Sequence, residues 1–430
     1  MYLQFNNPMK IKRFFPYAAI LVLTFLYLLG LSKVPFHPDE STQIFMSADV
    51  ETVFSRPAEL LYTPSPAEAQ RQNYRLLDAP LSRWLIGLGR LIAGESALTT
   101  DWDWSKTWEQ NQAAGALPDQ NLLITARFSV AWLFALTLLF GYRAGMLIGG
   151  STMGGVMIGL LSINALVLMH TRRAMAESAL LFSITWFIFA IAKKETNPLL
   201  LALPAAFAVN AKQTAAALVL IVLFAAWLYS NSISWPKRAR NVAVSATLII
   251  LITYMLNPVA WKNPADAMAA AIKARSDLAA RQVEVIGAAS PELLLKSPAQ
   301  RLAGWMVYLY ISEPATADVK NYVDATREAE AIYFTNPIHR FLRGSLPGIL
   351  MLVLSLFGFG LATYTAAISS RNRKPLCLLL LSTLAAFLTL MIFIPLPFQR
   401  YSILLVPFST LWSAYSLNWL SQRWIKNREA

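Results

Sequence analysis

The sequence is short of the residue types on which soluble and disulfide-linked proteins depend. Charged residues make up only 14% of the 430 residues, whereas soluble domains contain about 25%. Cys377 is the only cysteine, so no intramolecular disulfide can form. The three histidines are isolated from one another and from this cysteine, and their spacing predicts no zinc site. These absences argue against a water-soluble fold, a disulfide scaffold and a zinc module.

Apolar residues make up most of the chain. Hydrophobic residues account for 56% of the chain, and the mean hydropathy is +0.46. Several runs reach the ~20 residues that a helix needs to cross a bilayer. The chain has a net charge of +13. Its basic residues do not form one patch but lie in short clusters between apolar runs, so we expect no nucleic-acid partner. The sequence predicts an all-α integral membrane protein.

The apolar runs predict a polytopic bundle of about ten transmembrane helices, which form one domain over residues 1–430 without a separate soluble domain. The predicted spans are 14–32, 122–141, 144–169, 176–192, 198–211, 214–230, 241–256, 346–368, 376–396 and 401–420. We interpret the first as an uncleaved anchor, because it is longer than a signal-peptide core and no clear cleavage site follows it.

The distribution of basic residues predicts the orientation of these spans. Short segments rich in Lys and Arg stay in the cytoplasm, and such residues recur in every second connection, among them Arg143, Lys193 and Lys237. This alternation places both chain termini in the cytoplasm. It also places two long segments, 33–121 and 257–345, on the outer side; we call them the first and second long segments.

Each long segment contains a predicted interfacial helix. In the first, apolar residues repeat at helical spacing between Leu81 and Ile92 beside Ser82, Arg83 and Arg90, which is typical of a helix that lies along the membrane surface. In the second, the apolar run 302–311 is too short to span a bilayer. Both long segments exceed the length of ordinary connectors.

Unusual polar residues fall at the predicted outer ends of the spans. Carboxylates near hydrocarbon are costly and usually face a functional cavity. The candidates are His37, Asp39, Glu40, Arg172, Glu177, Lys212, Arg400 and Tyr401. Taken singly, an acidic pair after a span is often loop charge, and a rim Arg or Lys is often a snorkelling anchor. Their recurrence at several turns, against the positive-inside bias, favours a common site. Three tryptophans at 102, 104 and 108 could stack on sugars but fit an interfacial aromatic belt better.

The order of these elements resembles the polytopic glycosyltransferases of the C superfamily, such as protein O-mannosyltransferases and lipid A aminoarabinose transferases. The matching elements cover about the first 215 and the last 35 residues. They are the Asp39-Glu40 pair, the surface helix that begins at Asp78-Ala79-Pro80-Leu81 and ends near Gly94, Arg127, the Arg172–Glu177 element, Lys212 in Ala211-Lys212-Gln213, and Gln399-Arg400-Tyr401 with Pro407 after it.

The resemblance implies an inverting glycosyltransferase that moves a sugar from a polyprenyl-phosphate donor to a lipid, glycan or protein acceptor. Asp39 and Glu177 are then the catalytic carboxylates, with Asp39 as the base. The resemblance also implies that Lys212, Arg400 and Tyr401 bind the donor phosphate. His37, Glu40 and Arg172 are supporting residues, and Arg172 is expected to pair with a carboxylate or the phosphate.

Other functions remain open at this stage. The resemblance is closer to a metal-independent branch, so we expect no cofactor, although a divalent metal between Asp39 and Glu177 is an alternative. A transporter or flippase of a polyprenyl-linked glycan would also place cations near a phosphate, and a non-catalytic subunit of an envelope complex could use the outer charges to bind a partner. In each case we expect the chain in a bacterial inner membrane, in contact with membrane lipid.

Overall fold

A computed structural model describes residues 8–230, 234–289, 291–317, 322–370, 372–394, 396 and 398–429. The first seven residues and the last one, which we predict to be cytoplasmic, lie outside the described residues. Helix accounts for 79% of the structure, and the described residues form no strand. The all-α prediction is therefore confirmed for this part of the chain.

The first half of the chain forms an entry helix, five short helices and the start of the bundle. These helices are α1 (Pro8–Leu28), α2 (Pro38–Met46), α3 (Asp49–Ser55), α4 (Ala69–Leu77), α5 (Leu81–Ala93), α6 (Trp108–Ala113), α7 (Gln120–Ala131), α8 (Leu133–Gly149), α9 (Ser151–Ser162), α10 (Ala165–His170) and α11 (Ala176–Lys193). Helices α2 to α6 all lie in the first long segment.

The second half completes the bundle around the second long segment. Its helices are α12 (Pro198–Ala211), α13 (Ala217–Leu228), α14 (Trp235–Leu256), α15 (Pro264–Ala289), α16 (Pro298–Met306), α17 (Val323–Phe334), α18 (Ser345–Ile368), α19 (Arg373–Phe393) and α20 (Val406–Glu429). A π-helical turn, Val307–Ile311, follows α16, and a 3-10 turn, Gln399–Leu404, precedes α20.

The core of the bundle surrounds α11. About 78% of its most apolar window is buried, whereas the corresponding fraction is 22% in α1, 11% in α14 and 22% in α18. Helices α8, α12, α19 and α20 pack around α11. An apolar helix that leaves most of its own surface uncovered is suited to a lipid surrounding. The molecule is an integral membrane protein with a packed centre and an apolar perimeter.

Within the described residues, six helical stretches are long and apolar enough to cross a membrane, whereas the sequence predicts about ten spans. These six are Phe14–Lys33, Gln120–Gly149, Ala176–Lys193, Trp235–Leu256, Ser345–Ile368 and Arg373–Phe393. Shorter apolar helices cover Ser151–Ser162, Pro198–Ala211 and Gln213–Leu228. The number ten stays a prediction, since length and hydropathy alone select fewer helices.

The predicted third span, 144–169, is wrong as a continuous helix. Gly150 has φ +90°, a conformation that favours glycine and ends α8. Asn164 then caps α10 by accepting backbone hydrogen bonds, after a break at the end of α9. Arg143, predicted to lie in a connection, lies within α8 instead. The apolar run does not show these breaks, because they depend on single residues inside it.

Helix α5 confirms the predicted helix at 81–92 and shows which face is buried. Ser82, Arg83 and Arg90 are buried, whereas Leu88, Leu91 and Ile92 are exposed. Arg90 donates to Ser47 Oγ and to the Glu51 carboxylate, and Gly94, with φ +75°, ends the helix. Polar groups thus face the protein and apolar groups face outward, as in a helix that contacts a membrane surface.

Candidate active site

A cavity of about 590 Å³ lies where both long segments meet the ends of the bundle helices. Its walls come from α2, the α4–α5 connection, the start of α11, the end of α12, the turn before α20, and α15. Five of the eight predicted site residues line this cavity: Asp39, Glu177, Lys212, Arg400 and Tyr401. They are separated by up to 362 positions in sequence, and the fold brings them together.

The first turn of α2 separates the neighbours Asp39 and Glu40. His37 is the N-cap, Pro38 is the first helical residue, and the side chain of Glu40 accepts from the His37 backbone N–H while His37 Nδ1 accepts from the Asp39 N–H. Successive helical residues point about 100° apart. Glu40 is consequently fully buried, whereas 30% of the Asp39 side chain remains exposed and faces the cavity.

Glu40 is an anchoring residue inside the protein and does not line the cavity. Arg127 Nε and Nη2 each donate to one Glu40 oxygen at 2.8 Å, and the Ala174 N–H donates to Oε1 at 2.9 Å. Burial by itself would raise the pKa of Glu40, but the Arg127 guanidinium outweighs this effect and holds the pKa below its usual value. The pair ties α2 to α7 and to the chain before α11.

Glu177 and Lys212 form the first ion pair of the cavity. Glu177 lies in the first turn of α11, and Lys212 follows the last residue of α12. Lys212 Nζ is 2.6 Å from Glu177 Oε1 and 4.2 Å from the centroid of the Tyr401 ring. The other oxygen, Glu177 Oε2, is buried and has no hydrogen-bond partner among the described residues. This carboxylate therefore keeps an unused acceptor.

Asp39 and Arg400 form the second ion pair. Arg400 Nη1 donates to Asp39 Oδ2 across the cavity, and the guanidinium carbon lies 5.9 Å from the centroid of Phe398. The backbone before it is held by Gln399, which donates from Nε2 to the Glu313 carbonyl at 3.0 Å. The Asp39 carboxylate is thus accessible but already in contact with a cation.

Neither His37 nor Arg172 lines the cavity. His37 is buried and caps α2. Its ring lies edge-on to the ring of Tyr322, with 5.5 Å between the two ring centroids. Arg172 Nε donates to the Tyr27 carbonyl at 2.9 Å, and Nη1 lies 3.4 Å from His339 Nε2. Arg172 contacts a backbone carbonyl and a histidine in this structure, so its expected pairing with a carboxylate or a phosphate stays a prediction. The turn before α11 directs its guanidinium toward α1.

The structure also brings together cavity residues that were not among the eight candidates from the sequence. Asp78 and Tyr74 come from the end of α4, Trp104 from the first long segment, and Arg275 and Arg281 from α15. Trp104 lies edge-on to Trp102 and to Tyr322, with ring centroids 6.3 and 6.1 Å apart, so it is part of an aromatic cluster that joins both long segments. The acidic character of Asp78, three positions before α5 begins, and the aromatic character of Trp104 were the available signals in the sequence.

Asp78 is a third carboxylate of the cavity. Burial raises its pKa; Arg275 opposes this shift, whereas the nearby Asp39 carboxylate adds to it. Asp39, Asp78 and Glu177 could offer oxygen ligands to a divalent ion, but no group of three or more His, Cys, Asp or Glu side chains in the described ranges is arranged to hold a metal. Two of these carboxylates contact Lys or Arg instead. The expectation of a metal-free site stays a prediction.

Comparisons with known proteins give structural neighbours only. Neither a scan against protein-family models nor a search of curated proteins returns a match. Among solved structures, the oligosaccharyltransferase of Archaeoglobus fulgidus matches in three states. Its complex with Zn and sulfate has 13% identity, a TM-score of 0.50 and 94% coverage of this chain. The described chain therefore shares its fold with about half of this oligosaccharyltransferase.

The other two matches extend this comparison. The apo form has 14% identity, a TM-score of 0.51 and 96% coverage of this chain. The complex with an inhibitory peptide and a dolichol-phosphate has 12% identity, a TM-score of 0.51 and 97% coverage. The chain spans about half of the oligosaccharyltransferase, with 49%, 51% and 52% of its length covered. At these identities the likeness establishes a shared fold, not a shared substrate.

Proposed function

We propose that this chain is an inverting glycosyltransferase that uses a polyprenyl-phosphate sugar as donor. The observation that carries the proposal is the pair of carboxylate–cation contacts, Asp39–Arg400 and Glu177–Lys212, in one cavity of about 590 Å³. Sugar transfer from a phosphate requires a base for the acceptor and positive charge for the leaving group. The likeness of fold to an oligosaccharyltransferase whose structure is known in complex with a dolichol-phosphate supports the same chemistry.

In the proposed reaction the acceptor hydroxyl or amine attacks the anomeric carbon, and Asp39 takes up its proton. The bond between the anomeric carbon and the phosphate oxygen breaks, and its electron pair stays on the phosphate. Polyprenyl phosphate and the glycosylated acceptor are the products. Lys212 and Arg400 neutralise the departing phosphate, and the free acceptor atom of Glu177 orients the attacking group. No general acid is required, because phosphate is already a good leaving group.

The resting contacts imply an order of events. Asp39 is a poor base while Arg400 donates to it, since a nearby cation favours the charged carboxylate. A donor phosphate competes for Arg400 and Lys212, and its arrival releases both carboxylates. The donor therefore binds before the base becomes active.

We also propose that the reaction takes place at the outer side of a bacterial inner membrane, with a lipid, glycan or protein as acceptor. A specificity like that of O-mannosyltransferases or aminoarabinose transferases belongs to the same proposal.

The decisive experiment is Asp39→Asn. The amide keeps the size of the side chain but cannot accept the proton, so transfer should fall roughly 10²–10⁴-fold, the contribution of a positioned base. Binding of polyprenyl phosphate should persist. Purified chain is incubated with labelled polyprenyl-phosphate hexose and candidate acceptors, and loss of donor is measured.

Asp103→Asn is the matched control, because Asp103 belongs to the same long segment but does not line the cavity. Unchanged turnover of the Asp39 variant would refute the proposal. Donor binding without turnover in the wild type, together with movement of the lipid-linked sugar across vesicles, would instead identify a transporter.

A further inference from the structure

Helix α15 forms one wall of the cavity with a single face. The lining residues of this helix are Arg275, Leu278, Arg281, Gln282, Val285 and Ile286. With about 100° per residue they fall within an arc of about 140°. Lys273, which does not line the cavity, lies on the opposite side of the helix and is exposed. The helix thus presents cations near its middle and apolar side chains near its end to the same cavity.

The position of this face is defined by contacts with the proposed donor site. Arg275 Nε and Nη2 donate to Gln213 Oε1 at 3.1 and 3.0 Å, and Gln213 Nε2 donates to the Leu77 carbonyl at 3.1 Å. Gln213 directly follows Lys212. Arg281 starts about 9 Å further along the helix axis than Arg275, at 1.5 Å per residue. The guanidinium of Arg281 therefore belongs to the same cavity but to a different part of it.

Charge in the cavity is unevenly compensated. Among its described lining residues, four are cationic and three are acidic. Lys212 and Arg400 each contact a carboxylate. Among the described lining residues, Asp78 is then the one acidic side chain that remains to balance the charges of Arg275 and Arg281.

Arg275 donates hydrogen bonds to the neutral side-chain amide of Gln213. Within the described part of the chain, Arg281 makes no ion pair. Asp277 and Glu284 are close to Arg281 along α15 but do not line the cavity. The face of α15 that lines the cavity therefore carries two cations and no acidic residue.

We infer that Arg281, with Arg275 and Gln282, forms a second anion site that binds a phosphate-type group distinct from the phosphate held by Lys212 and Arg400. Guanidinium groups are well suited to phosphate oxygens because they donate two parallel hydrogen bonds. Val285 and Ile286 continue the same face with apolar surface, which suits an anionic group attached to hydrocarbon. The inference rests on the proposed function, since it adds a second substrate anion to that site.

Two sources would present this chemistry. A donor linked through a diphosphate carries a second phosphate, and a lipid acceptor can carry a phosphate of its own. In both cases one oxyanion occupies the Lys212 and Arg400 end while another contacts α15. The two sources differ in whether the donor alone fills the second site.

Inorganic phosphate is the probe for this site. Full-length protein in lipid nanodiscs is saturated with polyprenyl phosphate and then titrated calorimetrically with inorganic phosphate. We expect the wild type to bind phosphate and Arg281→Gln to bind it on the order of tenfold more weakly, as for loss of one charge-assisted contact. Arg281→Lys should be intermediate. Lys273→Gln removes the same charge from the outer face of α15 and should bind like the wild type.

The outcomes separate the inference from the proposed function. Equal phosphate binding by the Arg281→Gln and Lys273→Gln proteins, or no binding by the wild type, would overturn the second site. If polyprenyl phosphate itself does not bind, the proposed donor site fails, whereas loss of phosphate binding in Arg281→Gln would still support the anion site. Saturation with polyprenyl diphosphate in place of monophosphate should block phosphate binding if the donor is the source and leave it intact if the acceptor is.

Discussion

At the scale of single residues, the neighbours Asp39 and Glu40 show how one helical turn assigns two environments. Glu40 is buried against Arg127, and Asp39 faces the cavity. A buried carboxylate with a bidentate guanidinium and two backbone donors is satisfied and has no remaining role in proton transfer. The accessible neighbour is therefore the one to which we assign the base, and the two acidic residues are not interchangeable.

Glu177→Gln tests whether a carboxylate competes with the donor phosphate for Lys212. The amide removes the negative charge at 2.6 Å from the ammonium, so polyprenyl phosphate should bind more tightly, on the order of tenfold. Turnover should fall, because the amide orients the acceptor less well. Equilibrium binding and single-turnover transfer are measured separately.

Glu195→Gln is the matched control for this variant. Lys193 Nζ is also 2.6 Å from a Glu195 oxygen, but this pair lies at the opposite end of α11 and away from the cavity. We expect it to leave donor binding unchanged. Weaker donor binding in Glu177→Gln would contradict the competition that we infer.

Asp78→Asn tests the electrostatic cost of the third carboxylate. Its folded-state pKa is raised above the ordinary value of 3.8, so the folded protein binds more protons than the unfolded chain in the pH range that begins there. Stability contributed by protonated Asp78 is present below that value and is lost as pH rises through the folded pKa. Asparagine does not ionise, so the variant does not lose this stability as pH rises. We expect Asp78→Asn to raise the unfolding temperature at pH 7 and to have little effect at pH 3. A lower unfolding temperature at pH 7 would show that the ionised form stabilises the fold.

At the scale of secondary-structure elements, close contact between helices depends on glycine at particular positions. In α18, a Cβ at Gly358 would lie 1.9 Å from the Trp412 carbonyl oxygen of α20, whereas a Cβ at Gly360 would meet nothing within 4 Å. The two helices can pack at this distance only because residue 358 has no side chain. A side chain would therefore fit at position 360 of α18 but not at position 358.

Gly358→Ala should therefore lower stability by about 1–3 kcal/mol, the usual cost of overpacking. Gly360→Ala adds the same methyl group to the same helix at an open position and should be neutral or slightly stabilising, because alanine favours helix by about 1 kcal/mol. Thermal unfolding of the detergent-purified proteins compares the two. Equal unfolding temperatures would mean that α18 and α20 are less tightly packed than described.

At the scale of the whole molecule, the proposed site requires that both long segments lie on one side of the membrane. Exposed positions suited to a test are Glu109 and Glu328 in the long segments and Lys194 and Lys237 in predicted cytoplasmic connections. Single cysteines at these positions, in a Cys377→Ser background, are treated with a membrane-impermeant maleimide. Positions 109 and 328 should react in intact cells, and positions 194 and 237 only after lysis. Labelling of the two long segments from opposite sides would separate the walls of the cavity and refute a common site.

The sequence by itself determined the helical membrane character of the chain, the helix at 81–92, and five residues of the cavity. Hydropathy and helical periodicity are local properties, so a run of apolar residues specifies a helix without knowledge of its neighbours. Asp39, Glu177, Lys212, Arg400 and Tyr401 could be identified because costly polar groups at the ends of apolar runs are conspicuous one by one. Their order along the chain also matched a recognisable pattern.

Only the tertiary structure decided where these side chains point and what completes their surroundings. The pairing of Asp39 with Arg400, the direction of Arg172 away from the cavity, and the approach of α15 to Gln213 are contacts between residues far apart in sequence. Such contacts follow from the packing of whole helices, and no local pattern encodes them. Asp78 belongs to the same class: its raised pKa comes from burial by distant elements, so the carboxylate becomes notable only once the chain has folded.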